Sequence, residues 1–231
     1  MSWTQVQKKL VNGTAIGSAV SYDSNVTAGN LLLAVAGMNI TGQTTLPVVN
    51  GFNKARETLG TNCGIGIWYT RANSTGPLSV SASGFAGSYS LAIAEYSFTE
   101  SGVPGVVGTP TGNVVTSATS IPGLLSAPAG DKLVVGAVRL SGGSSTPRSW
   151  TDSFVEQNDT NARGSWAHTL TTATGFGPTY SWVGTLNAAL ALCAFSVTST
   201  PIANLVKARV SNAMTPKPAY VRIGNAWQLV T

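Results

Sequence analysis

Residues 28–42 read Ala-Gly-Asn-Leu-Leu-Leu-Ala-Val-Ala-Gly-Met-Asn-Ile-Thr-Gly, and residues 129–143 read Ala-Gly-Asp-Lys-Leu-Val-Val-Gly-Ala-Val-Arg-Leu-Ser-Gly-Gly. Each opens on an Ala-Gly turn signal, adds a small polar residue, and runs into a continuous apolar stretch before returning to Gly. Neighbouring side chains of a strand point to opposite faces. A strand apolar at successive positions therefore needs cover on both faces. These two stretches predict two such strands, and the rest of the chain arranges itself around them as two copies of one pattern.

Working outward, residues 118–125 answer 19–26, residues 164–170 answer 64–70, and residues 188–197 answer 88–98, with Phe195 in the place of Tyr96. The offset stays nearly constant, so loop spacing is kept along with the strands. Residues 3–11 read as a first strand or arm, and 14–22 as a strand. Residues 40–60, rich in Gly, Thr and Asn, read as a long loop with a short turn at 53–58. Residues 64–71 are strand, with Ile65, Ile67 and Tyr69 on one face and Trp68 on the other. Ser and apolar residues alternate over 78–83, as in a half-exposed strand. Residues 89–98 place Leu91, Ile93 and Glu95 on one face. Residues 102–113 hold Pro104, Pro110 and several Gly, and read as the crossing between the halves.

Short strands between Gly- and Pro-rich turns, with no sustained helical period, predict an all-β chain. The expected fold is one jelly-roll-like β-sandwich over residues 1–200, built from two related halves at about 14–100 and 114–200, which share a core. Two small sandwiches are the alternative. Residues 201–231 differ. The 202–210 stretch is too short to assign. Met214-Thr-Pro-Lys-Pro218 is a stiff spacer. Residues 219–230 then predict a hairpin about a Gly224-Asn225 turn. A lone hairpin is marginal in water, so this one should dock on the body, a sister subunit or another protein.

Charged residues make up only 9% of the 231, well below the usual quarter, so the polar surface must be Ser, Thr, Asn and Gln. Such a surface suits a subunit packed against neighbours and equally a secreted β module. Of the 13 Lys and Arg, Lys207, Arg209, Lys217 and Arg222 fall in the acid-free stretch 201–231, so the rest is almost balanced and no nucleic-acid face is expected. No apolar run reaches membrane-spanning length. The opening Met-Ser-Trp-Thr-Gln-Val lacks the charged and apolar regions of a signal peptide. Cys63 and Cys193 form neither a disulfide framework nor a zinc spacing, and no cofactor motif is present.

Candidate chemistry is sparse. His168 is the only histidine; with no G-x-S-x-G elbow it reads as a surface or edge residue sharing a face with Trp166. Asp152, Glu156 and Asp159 near Trp150 read as a solvated acidic loop and fit no calcium motif. Glu95, if buried, needs a partner, with Arg71 or Arg139 within reach of the pattern. Trp68, Trp166 and Trp182 are candidates for a glycan-stacking platform, against a reading as core. The Asn-x-Ser/Thr triplets read as ordinary β composition.

Two stretches have familiar wording. The body, through S-V-x-Y-x-S-N-V-T-A-G-N-L-L-L-A-V, G-I-W-Y-T-R-A-N and L-A-I-A-E-Y-S, resembles a β-sandwich module of tailed-bacteriophage virion proteins and bacterial surface proteins. The ending K-P-A-Y-V-R-I-G-N-A-W resembles a C-terminal segment of minor tail proteins from phages of Actinobacteria. The resemblance implies a non-enzymatic structural virion protein without cofactor or metal, on the tail or tail tip, partnering other virion proteins and copies of itself, with a trimer as one option. It also implies a host surface glycan as a candidate ligand, and Tyr220, Val221, Arg222 and Trp227 as subunit-docking residues. A capsid decoration or head-fibre protein, and a carbohydrate-binding module of a bacterial surface protein, are the alternatives.

Overall fold

The computed structural model describes residues 3–15, 19–40, 45–83, 88–144, 148–159, 163–198, 220–223 and 226–229. Among these every regular element is a strand. The first half comprises β1 (Trp3–Ala15), β2 (Ala19–Ser21), β3 (Leu31–Met38), β4 (Val48–Val49), β5 (Asn53–Gly60), β6 (Cys63–Arg71), β7 (Ser79–Ser83) and β8 (Ser88–Phe98). Strands β1-β8-β3-β6-β5 form a large sheet and β2-β7-β4 a small one. Chain order alternating between two sheets in this way is jelly-roll winding.

The second half repeats it with β9 (Val103–Pro122), β10 (Leu125–Ser126), β11 (Lys132–Leu140), β12 (Ser149–Trp150), β13 (Val155–Asp159), β14 (Gly164–Thr171), β15 (Gly175–Phe176) and β16 (Thr179–Thr198). Its large sheet is ordered β9-β16-β11-β14-β13. Here β9 and β16 each run through both layers. Their pairing register breaks between Ser181 and Ala188, and Ser117 and Gly184 take positive φ at that corner. The register confirms the duplication residue by residue: Leu31 pairs with Tyr96, and Leu133 with Phe195.

Three cores follow from these layers. Leu32, Ala34, Ala36 and Met38 point into the first roll beside Trp68, Leu91 and Ile93. Val134, Val138 and Leu140 point into the second beside Tyr180, Leu190 and Leu192. The opposite faces meet each other: Leu31, Leu33, Val35 and Ile67 pack with Leu133, Val135, Trp166 and Phe195 in a seam between the large sheets. That seam is why β3 and β11 are buried at every position. Each Leu or Val so placed contributes about 1.5–3 kcal/mol. The two alternatives left by the sequence are thus combined. Each half closes its own jelly roll, and the two rolls share a third core.

The rolls meet as two copies related by a two-fold axis would. Lys8 of β1 donates to the Gln157 carbonyl beside β14 at 2.8 Å, and β5 lies against β9. Gly37 and Arg139 occupy equivalent register positions, opposite Ile65 and Gly164. A Cβ on Gly37 would stand 3.3 Å from the Arg139 Cδ. A position that touches its own equivalent lies near such an axis.

Two expectations are corrected. The stretch 40–60 is not all loop, because β4 and β5 lie within it. As an edge strand β5 carries Lys54, Arg56 and Glu57 and shows little apolar alternation. Residues 102–113 are not the crossing between halves but the start of β9, where an edge position tolerates Pro and Gly. The halves therefore begin at Trp3 and Val103, and the link is residues 99–102.

Candidate functional site

Burial decides the fate of the candidate tryptophans. Trp68, Trp166 and Trp182 are 2%, 1% and 5% exposed. Trp68 lies over Gly66 inside the first roll, where a Cβ on that glycine would overlap the indole. Trp166 fills the seam. Trp182 sits in the second roll, its ring 6.1 Å from Tyr180. None offers a face to a sugar, so the candidate stacking platform is not formed by these three residues, and the reading as core holds. Their function is core volume, which both-face burial of the strands already demanded.

The seam also holds the one histidine. His168 on β14 is half-buried, and its Nδ1 is 2.7 Å from the Tyr96 hydroxyl, which also accepts a hydrogen bond from the Gln5 amide at 3.1 Å. It joins the rolls and is not the surface residue its sequence suggested, because β1 and β8 of the other roll cover it. Burial, with Lys8 nearby, lowers its pKa from 6.5 to about 4. The ring is then neutral and accepts the Tyr96 proton. Between these values the unfolded chain holds more protons than the fold, so stability falls as pH drops from about 6.5 towards 4. Allowing for solvent screening, this share of the loss is about 1–2 kcal/mol. Urea unfolding at pH 7 and pH 4.5 checks it: His168→Gln should show a smaller difference between the two pH values than the parent chain, and an equal difference would refute it.

Glu95 is fully buried and has no arginine partner of the kind expected. Its Oε2 accepts from the Gln7 amide at 2.6 Å. Its Oε1 accepts from the Asn30 amide at 2.6 Å and the Thr27 backbone N–H at 2.8 Å. Neutral dipoles solvate the carboxylate and tie β1 and the 27–30 turn to β8. Arg71 and Arg139 are placed elsewhere. Arg71 Nε donates to the Gly29 carbonyl at 3.3 Å, and Arg139 reaches across the seam to the Ser90 hydroxyl at 3.2 Å. Burial, with Arg163 nearby, lowers the Arg139 pKa to about 10.

The acidic trio is dispersed along one edge. Asp152, at positive φ in a tight turn with Ser153, accepts the Gly177 N–H at 3.1 Å. Glu156 and Asp159 belong to the edge strand β13. Among the described residues no three His, Cys, Asp or Glu side chains converge as a metal site. Both cysteines are buried free thiols. Burial raises the Cys63 pKa to about 11 and that of Cys193 further. No described helix is long and apolar enough to cross a membrane.

Two surface features remain. An open groove of about 430 Å³ lies where the rolls join. Asn53, residues 69–71 and Asn73 form one wall, and residues 103–105 with Thr198 form the other. A second groove of about 480 Å³ runs between residues 108–111 and 124–128, with Leu124 on its rim 75% exposed. No sequence motif marked the first groove, since its walls come from separate strands of different halves.

The other feature is the C-terminal hairpin. β17 (Tyr220–Ile223) pairs antiparallel with β18 (Ala226–Leu229), with Tyr220 opposite Leu229 and Ile223 opposite Ala226. The expected Gly224-Asn225 turn lies outside the described residues. The side chains of Tyr220, Val221, Arg222 and Trp227 lie outside what the structure describes, as do the 202–210 stretch and the Pro-rich spacer. Among the described residues the hairpin pairs with no other strand. No protein-family model, curated protein or solved structure matches the chain.

Proposed function

We propose that the chain is a structural virion protein of a tailed bacteriophage, a minor tail protein exposed on the tail or its tip, which acts by binding and not by catalysis. The observation that carries the reading is the hairpin. The segment whose wording resembles minor tail proteins folds as two four-residue strands in register, which among the described residues pair only with each other. Such a hairpin gains its stability by docking, and the aromatic and Arg residues at 220, 222 and 227 are the types that anchor interfaces. The body supports this role. It consists of two jelly rolls that share an apolar seam, in a chain with few charged residues.

Tail attachment places the rolls outward, as several copies presented to the host. Mass spectrometry of purified particles, with tails separated from heads, tests the reading. The expected result is the chain in the tail fraction at several copies per particle. Its presence only with heads would favour a decoration role, and absence from particles would sink the proposal.

A further inference from the structure

The groove between the rolls has the chemistry of a recognition site, and we propose that it binds an acidic saccharide: a pyranose carrying a carboxylate. Its position is one that ligand sites favour, at the junction of two folding units. Among the described residues that line it, Arg71 is the only charged side chain and there is no acid. Tyr69 supplies an aromatic wall. The ring is half-buried, and Phe195 braces it edge-on at 5.4 Å, so the Tyr69 surface is fixed before any ligand arrives.

Arg71 is held at the rim. Its Nε–H donates to the Gly29 carbonyl, and Gly29 has φ of 94°. Glycine allows that turn, and a Cβ there would meet Arg71 Nη2 at 3.4 Å, an ordinary contact. A guanidinium presents planar paired donors that match a carboxylate. Asn53 and Asn73 each add an amide donor and acceptor, which suits vicinal hydroxyls. Asn53 lies directly opposite Tyr69 in the β5–β6 pairing, so an amide and the aromatic wall stand side by side. Across from them residues 103–105 form a wall with Val103 46% exposed and Pro104 lacking an N–H. The apolar C–H face of a sugar ring fits between Tyr69 and this wall, with its polar edge turned to Arg71 and the asparagines. The second groove offers threonine hydroxyls and no charged group, and so has less to recognise an anion with.

This inference takes from the virion proposal only the source of the ligand, the host surface; binding is a property of the purified chain. Saturation-transfer NMR and calorimetric titration with glucuronate, glucose and acetate test it. Glucuronate should bind, glucose more weakly, and acetate more weakly still. Arg71→Gln should lower glucuronate affinity about tenfold while leaving glucose nearly unchanged, and Asn73→Ala should weaken both sugars. Both side chains are exposed, so an unchanged unfolding midpoint certifies each variant. No transfer to either sugar, acetate binding as tightly as glucuronate, or sugar binding unchanged in both variants would overturn the assignment. A chain found in particles that takes up no sugar would end the groove proposal alone. A chain that binds glucuronate yet is absent from particles would end the virion proposal alone.

Discussion

Glu95→Ala should destabilise the fold by about 3–5 kcal/mol. The carboxylate is wholly buried and accepts three hydrogen bonds, none longer than the 2.8 Å contact with the Thr27 N–H. Removing it takes the acceptor from the Asn30 amide and the Thr27 backbone donor and leaves the Gln7 amide only its 3.3 Å bond to the Ser24 carbonyl, and each unpaired buried donor costs about 1–3 kcal/mol. Loss on this scale is a large part of the 5–15 kcal/mol that a folded domain has to spare. Glu95→Gln keeps the volume but turns an NH₂ towards the donors, and should cost about half as much. Urea denaturation of the purified chain reads both, with an unchanged slope marking a true stability effect. A loss below about 1 kcal/mol for the alanine variant would show that these contacts do not fasten the 27–30 turn and β1 to β8.

The position of Glu95 shows what the sequence can and cannot convey. Its place on a strand face with Leu91 and Ile93 was legible, and so was its need for a partner. The partner was not, because Gln7 and Asn30 come from β1 and a turn, and their arrival depends on the sheet order β1-β8-β3. His168 teaches the same lesson. It shares a face with Trp166 on a strand whose both faces are covered, and that was the available sign that the ring would be interior. The three tryptophans carried a similar sign: residues 63–68 of β6 are buried on both faces, leaving Trp68 no route to solvent.

The duplication and the all-β class were readable because β3 and β11 are apolar at successive positions, a demand only a layer on each side can meet. The edges were not. β5 hides behind Lys54, which pairs with Glu57 at 2.6 Å, and β9 hides behind its prolines and glycines. Edge strands answer to solvent on one side, so their residues report exposure more than pairing. The groove was invisible for a further reason. Its walls belong to β5, β6, β9 and the end of β16, and β5 and the start of β9 read as loop and connector.

The docking role of the hairpin is the claim on which the functional account turns. Deletion of residues 216–231 should leave the rolls intact, because among the described residues β17 and β18 pair only with each other. An unfolding midpoint close to that of the full chain would establish this. The same deletion removes Tyr220, Arg222 and Trp227, the anchor-type side chains of the segment that resembles minor tail proteins. Hot-spot anchors each carry about 2 kcal/mol or more, and losing three together leaves too little affinity to hold a subunit in place. The decisive measurement is the copy number of the truncated chain in purified virions beside that of the full chain. The account predicts that incorporation falls to background while the truncated chain remains folded in the lysate. An unchanged copy number would contradict it.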